Sequence, residues 1–297
     1  MVLATRSKAE TEPIQIAHEH IACALCGADN AALLFELGGH SSHGVYVNGV
    51  YRRVAGRESV VRCRDCGLVY VNPRFVEAPG IAVYSAEEEM TYYQMTQADR
   101  RVGNAELLQQ IEGRLARPGR LLDVGCGDGL LLSQAQLQGW EAWGLEVSGR
   151  LVAQIRARHN PARIFHGALT DAAYPTAHFD AVVLCNVIEH LRDPGHVVAE
   201  IARITRPGGF VAVHTPNIDS LAARLRGPTW HLLQPFDHLY YFNVRTLRRL
   251  LEQHELAVVG SFALHGQSKV KRWLLTLVHL AGLRLDNGLG LLARRES

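Results

Sequence analysis

Apolar and polar positions along residues 99–296 switch between two periods, and the switch points mark the elements. RLLDV (120–124) is a short apolar run that enters the glycine turn GCGDG, after which LLLSQAQL takes up helical spacing to about Gln138. WEAWGLEVS (140–148) reads as a second strand closing at Glu146, and Ser148 caps a helix that breaks before Pro161. ARIFHG carries a third strand to Gly167, and FDAVVLCN (179–186), apolar throughout, is a fourth strand covered on both faces. A helix over Pro194–Thr205, stopped by Pro207, Gly208 and Gly209, leads into a fifth strand, FVAVHTPN. Asn243 caps a helix to about His254, ELAVVGSFAL is an edge strand and GLGLLARRE supplies the last. Upstream, Asp99–Leu115 is an amphipathic helix ended by Pro118 and Gly119. Strands alternating with helices predict an α/β fold.

The turn after the first strand carries the first chemical signal. Gly125, Gly127 and Gly129 recur at every second position, so backbone can pass close under a ligand, and the helix start adds unpaired amides and a positive dipole. A Walker loop needs Gly-Lys-Ser/Thr at its end, but here Gly129 is followed by Leu130. Glu146, at the end of the second strand, is placed to accept both hydroxyls of a ribose. A nucleotide-dependent oxidoreductase of the Rossmann type remains open at this point.

Composition narrows the setting. The chain has 297 residues, enough for one large domain and a small module, and its net charge of +2 comes from dispersed basic residues. No basic tract announces nucleic acid, and the balance favours a small or neutral substrate. The opening MVLATRSKAETEPIQ lacks the apolar core of a signal peptide, which predicts a cytoplasmic protein. Trp273–Leu283 contains His279 and is too short to span a bilayer. The tail KVKRWLLTLVHLAGLRL reads as a basic, apolar helix packed on the sheet, with contact to a membrane surface as the other reading.

Four of the six cysteines fall in two knuckles, CALCG (Cys23, Cys26) and CRDCG (Cys63, Cys66). Two CxxC loops brought together offer four thiolates in a tetrahedron, the set a structural zinc takes, and redox dithiols are the competing reading. With all four ligands committed, such a zinc has no open position for chemistry. The knuckles define an N-terminal zinc-binding module over residues 1–85, with the hairpin or loop GGHSSHGVYVNGVYRRVAGRES inserted between them. His40 and His43 in that insert are alternative ligands, or solvated or substrate-facing residues.

The DxGxGxG turn followed by Glu146 resembles the class I S-adenosylmethionine (SAM) methyltransferases over roughly residues 100–265. RCRDCGLVYVNPRF resembles the zinc-ribbon start of bacterial methyltransferases of polysaccharide and natural-product pathways. The resemblance implies a Rossmann-like, seven-stranded, mostly parallel sheet over residues 86–297, with SAM as cofactor beside the structural zinc. It implies a cofactor set of Asp123, Gly125, Cys126, Gly127, Gly129, Glu146 and Val147. In the loop ALTDAAYP, Ala168 and Leu169 would lie against the adenine, with Asp171 the nearby acid. Asn186 and Glu189, beyond the fourth strand, would face the cofactor and acceptor. In related ubiquinone-pathway O-methyltransferases the corresponding segment carries Glu-x-x-Glu-His and can hold a divalent metal; here Asn186 stands in place of the first acid, which leaves a metal at this segment an open reading. Tyr84, Tyr92 and Tyr93 surround the acidic patch Glu87–Glu89 in a linker that the resemblance places near the cofactor entrance, and a plain surface helix is the other reading.

Methyl transfer from a sulfonium is an in-line displacement governed largely by placement. A hydroxyl acceptor also needs a base near neutral pKa, and His238, His190 and His231 are the candidates. His238 and His190 fall in segments that match the family; His190 also reads as a structural helix-start residue. His231 and His238 belong to LRGPTWHLLQPFDHLYYF, an aromatic loop suited to an acceptor pocket. The expected activity is methyl transfer to a hydroxyl of a small-molecule or sugar acceptor, with no nucleic-acid partner and no membrane span. An RNA base methyltransferase and a non-catalytic scaffold are the rivals, and the sequence sets no oligomeric state.

Overall fold

A computed structural model describes residues 14–37, 44–47, 50–55, 58–76, 81–82, 86–262, 264 and 287–296. His40, His43, Tyr84 and the apolar tail at 269–285 lie outside the described residues. No described helix is long and apolar enough to cross a membrane.

The N-terminal part is built from short strands. They are β1 (Ile14–Gln15), β2 (His18–Glu19), β3 (Ala31–Leu37), β4 (Gly44–Val47), β5 (Val50–Ala55), β6 (Glu58–Cys63), β7 (Val69–Val71), β8 (Arg74–Phe75) and β9 (Ile81–Ala82). β1, β5, β4 and β9 form one small sheet, and β2 pairs with β8. The helix α1 (Ala86–Glu112) follows. It starts well before the expected Asp99, because the polar turns carrying Tyr92 and Tyr93 continue the helix that Leu107, Leu108 and Ile111 anchor in the core.

The rest alternates as the periods predict: β10 (Arg120–Val124), α2 (Leu130–Leu137), β11 (Glu141–Glu146), α3 (Gly149–Arg156), β12 (Ile164–His166), β13 (Phe179–Cys185), α4 (Pro194–Ile204), β14 (Thr205–Pro216), α5 (Leu221–Arg226), β15 (Tyr240–Tyr241), α6 (Val244–Glu252), β16 (Leu256–Phe262) and β17 (Gly288–Arg295). Seven strands make the large sheet in the order β12-β11-β10-β13-β14-β17-β16. Pairing is parallel from β12 to β14, and β17 slots antiparallel between β14 and β16. Alternate residues serve opposite faces: Leu121, Ala181 and Val183 pack with α1, α2 and α3, while Leu122, Val182 and Leu184 pack with α4 and α6.

Two departures from the periodic reading have local causes. α4 stops at Ile204, and β14 already begins at Thr205, so TRPGG is strand rather than loop. The register jumps from Phe179 opposite Thr205 to Ala181 opposite Phe210, a bulge that absorbs Pro207 and both glycines. The aromatic loop is likewise not without order. Tyr240 and Tyr241 pair antiparallel with Tyr70 and Val69, so β15 joins the sheet β15-β7-β6-β3 of the cysteine-bearing part. Ile218, Trp230, Leu233 and Tyr241 then pack with Val60, Val69 and Val71 in one buried cluster.

Candidate cofactor cleft and histidine cluster

The glycine turn is fastened to the next strand before any ligand is considered. The amides of Gly125 and Cys126 both donate to the Leu145 carbonyl, at 2.8 and 3.0 Å. Glu146 holds the turn from the side: one carboxylate oxygen accepts from the Gly127 amide and the other from the Ser148 amide, each at 2.9 Å. Gly125 and Gly127 have φ of 72° and 55°, and the space above them is tight. A Cβ at Gly125 would come 2.6 Å from Val187 Cγ2, and one at Gly127 would come 2.6 Å from the Tyr93 hydroxyl.

Tyr93 therefore lies over the turn, and α1 covers that end of the cleft. Arg100 secures it, stacked 4.9 Å from the Tyr93 ring centroid and bonded to both oxygens of Asp128 at 2.7 and 2.9 Å. Tyr92 bonds Asn186 on the far side. Tyr93 thus packs on the glycine turn, while Tyr92 beside it is about half exposed.

Asp123 ends β10 beneath the turn, 5 % exposed. Burial, followed by the charges of Glu146 and Asp128, raises its carboxyl to about 8. Burial also pushes the thiols of Cys126 and Cys185 well above the usual range, so both are inert sulfhydryls at neutral pH. Gly129 caps α2. Val147 is exposed beside Glu146, and Ala168 is exposed at the head of a single 3-10 turn. Leu169 is buried in the main core and Asp171 faces solvent. Asn186 has φ of 55° and accepts from His214 Nδ1 at 3.0 Å, so its side chain is held from both sides.

Beyond the ends of β13 and β14, two segments meet. The Glu189 carbonyl accepts from the amides of Leu239 and Tyr240, fixing residues 237–240 against 187–190. Glu189 is 1 % exposed; one carboxylate oxygen accepts from Thr215 Oγ1 at 2.9 Å, and Oε1 has no hydrogen-bond partner among the described residues. His190 Nδ1 lies 2.8 Å from Asp237 Oδ1. Burial works to lower its pKa, but the hydrogen bond and charge of Asp237, with the charge of Glu189, prevail and hold it up at about 9. His190 is an imidazolium at neutral pH.

His238 is the opposite case. Its Nδ1 donates to the Leu232 carbonyl at 2.9 Å, which leaves the Nε2 lone pair as the basic site. Burial, joined by the charge on His190, lowers its pKa against the pull of Glu189 and Asp237. His231 does not join them; it is exposed beside Trp230. Glu189, His190 and His238 each bring one donor atom within 4.8 Å of the others. The charge on His190 offsets the neighbouring carboxylates of Asp237 and Glu189, 2.8 and 3.9 Å from its ring nitrogens.

Asp237 and Arg100 were not singled out by the sequence. An acid directly before His238 is a local signal in hindsight. Arg100 and Asp128 are 28 residues apart, and nothing in their spacing announces the pair.

The four knuckle sulfurs converge, with Cys23 Sγ to Cys66 Sγ 3.5 Å and Cys26 Sγ to Cys63 Sγ 3.6 Å. All four lie within 4.8 Å of one another, and none is in a disulfide. A tetrahedron with metal–sulfur bonds of about 2.3 Å has edges of roughly 3.8 Å, so the spacing suits a zinc. The two knuckles repeat the same bonds: the Gly27 amide donates to the Cys23 carbonyl, and the Gly67 amide to that of Cys63.

Residues 96–261 match a family model described as a methyltransferase domain. A probable S-adenosylmethionine-dependent methyltransferase of Mycolicibacterium smegmatis is 36% identical over 132 residues, 44% of this chain and 49% of that protein. A ubiquinone biosynthesis O-methyltransferase of Alkalilimnicola ehrlichii is 35% identical over 120 residues, 38% of this chain and 46% of that protein. The chain thus spans about half the length of these curated relatives. Among solved structures it is similar to a possible histamine N-methyltransferase from Thermotoga maritima, with TM-score 0.51, 17% identity, and 70% of this chain and 96% of that one covered. A SAM-dependent methyltransferase from Archaeoglobus fulgidus gives TM-score 0.50 at 16% identity, covering 69% and 98%. At these identities the structural likeness concerns the fold.

Proposed function

Because the chain belongs to the methyltransferase-domain family matched over residues 96–261, we propose that it transfers the methyl group of SAM to a hydroxyl of a small-molecule or sugar acceptor in a natural-product or polysaccharide pathway. The observation that carries the oxygen assignment is His238, a buried neutral imidazole with Nε2 as its only lone pair, beside the charged His190. A hydroxyl must lose its proton to become a nucleophile, and a neutral imidazole takes one at physiological pH. The similarity to a ubiquinone biosynthesis O-methyltransferase supports the same choice.

The cleft suits SAM chemically. The cofactor brings an electrophilic methyl on a positively charged sulfur. Gly125, Gly127 and Gly129 take the positive φ that lets the turn present its backbone to it, Glu146 offers acceptor oxygens to its ribose, and Cys126, Val147, Ala168, Leu169, Asn186 and Glu189 complete the set. Asp123 is a buried acid that ionises when a positive group lies beside it. His238 removes the acceptor proton, while His190 and Asp237 hold the loop that carries it. The four cysteines hold a structural zinc in a module over residues 1–85, and residues 86–297 form the methyltransferase domain.

The test is transfer of a labelled methyl from SAM to a panel of phenolic, catecholic and sugar hydroxyls, read as S-adenosylhomocysteine release. Transfer confined to nitrogen or carbon acceptors overturns the oxygen assignment. Absence of SAM binding by calorimetry overturns the methyltransferase reading itself.

A further inference from the structure

A second concave site is formed by α5, α6 and the segments that lead into them, and none of its lining residues belongs to the glycine turn or the histidine cluster. It encloses about 1000 Å³ and is lined by four arginines, Arg224, Arg245, Arg248 and Arg249, with Asp219 and Glu252. Four guanidinium groups face two carboxylates, so the groove keeps an excess of positive charge. The internal pairs are loose: Arg224 lies 3.9 Å from Asp219 and Arg248 3.3 Å from Glu252. Asp219 is shared with Asn243, whose amide donates to it at 3.0 Å. No ion pair or side-chain hydrogen bond within the described residues engages Arg245 or Arg249.

The placement of these cations is unfavourable in the empty protein. Positions 245, 248 and 249 are three and four residues apart on one helix, so their charges face each other across a single turn. Arg245 also sits in the first turn of α6, where the helix dipole is positive and disfavours a cation. The helix is otherwise well built: the Asn243 and Thr246 side chains form a reciprocal capping box, and Leu247, Leu250 and Leu251 are buried. A good helix with a self-repelling outer stripe is relieved by an anion. Arginine's planar fork selects one with paired oxygens, and the rise of about 6 Å between Arg245 and Arg249 asks for more than one anionic group.

We propose that this groove binds the phosphate groups of an oligophosphate small molecule, a nucleoside diphosphate or its ester. The guanidinium forks of Arg245 and Arg249 take the phosphate oxygens, and Arg224 and Arg248 exchange their loose carboxylate partners for the same ligand. The cavity has room for a base and sugar besides the phosphates. The site is independent of the methyl-transfer chemistry and needs neither SAM nor the histidine cluster.

Titration calorimetry on the full chain tests this with inorganic pyrophosphate and ADP as probes, at low and physiological salt. One equivalent should bind, more weakly as salt is added. The double variant Arg245→Gln/Arg249→Gln keeps helix-forming side chains and should lose at least tenfold in affinity for both probes, with SAM affinity and the thermal midpoint unchanged. A dissociation constant above about 1 mM for both probes overturns the proposal. So does equal binding by the double variant, which places the anions elsewhere, for instance in the cofactor cleft. A short RNA that binds more tightly than ADP through the same two arginines overturns it too, and makes the groove a nucleic-acid surface.

Discussion

The rings of His190 and His238 lie 4.9 Å apart, yet their proton affinities move in opposite directions. Burial lowers both, but the Asp237 carboxylate 2.8 Å from His190 overrides it there, whereas His238, 3.8 Å from the other Asp237 oxygen, stays lowered by burial and by the charge on His190. One histidine is thereby fixed as a cation and the other as a base.

This split predicts a pH profile for stability. His190 is raised from 6.5 to about 9, so its contribution is complete below pH 6.5 and is lost as pH rises through 9. His238 is lowered, so its contribution is complete above pH 6.5 and is lost as pH falls toward its folded-state value. The two slopes meet near pH 6.5. Thermal midpoints between pH 5.5 and 9.5 should fall on the alkaline side in the parent. Above pH 8, past the midpoint of Asp123, whose own ionisation lowers stability as pH rises to that point, the decline should nearly vanish in Asp237→Asn, which loses about 1–3 kcal/mol near neutrality with the charged hydrogen bond. An alkaline decline that persists in the variant assigns it to another group.

For turnover, His238→Ala should leave SAM affinity unchanged and reduce the rate on the true acceptor by about a hundredfold to ten-thousandfold. The parent rate should rise with pH in a single step below 6.5, because only neutral His238 accepts a proton. His190→Ala should disturb both binding and rate, since it removes the cation beside Glu189. Full turnover in both variants would show that the acceptor needs no histidine base.

SAM binding should release a proton. Asp123 is half protonated near pH 8 in the free protein, and a cationic ligand drives its ionisation, so affinity rises with pH toward 8 and levels off above it. Calorimetry in two buffers of different ionisation heat measures the release directly, and equal heats would refute it. Glu146→Ala removes both braces of the glycine turn together with the ribose acceptor, and should weaken SAM by about 1–3 kcal/mol. Gly127→Val, at φ of 55° beneath Tyr93, should weaken it as well.

Elemental analysis of protein purified without chelator should find one zinc per chain. Cys63→Ser should lose it and lower the thermal midpoint. It should reduce turnover far more than SAM affinity, because β15 is hydrogen-bonded to β7, whereas the glycine turn is not. Parent-like turnover in a zinc-free variant would sever that link.

Legibility followed locality. β10 and β11 end where period and glycine place them, and the Ser148 and Asn243 caps are visible as single residues before apolar spacing. The start of α1 is hidden because its first turns pack through Tyr92 and Tyr93 rather than through an apolar stripe. β15 is hidden because its partner lies in another part of the chain, and two tyrosines have no period of their own. His238 and His231 look alike in sequence; only the turn that swings Asp237 under His190 distinguishes the buried base from the exposed ring. The arginine stripe of α6 escapes a charge count because it is legible only on a helix.

The pairing of β15 with β7 has a consequence for how the chain is made. Val69, Tyr70 and Val71 are all buried in the finished fold, but their hydrogen-bonding partners Tyr240 and Tyr241 are synthesised about 170 residues later. At ribosomal speeds that leaves an apolar strand edge open for roughly ten to thirty seconds, long enough for a neighbouring nascent chain to pair with it. The knuckles that flank this edge emerge early, so metal capture would order the strand well before its partner arrives. The same cysteines that brace the mature loop would then shield the chain from misassembly during translation.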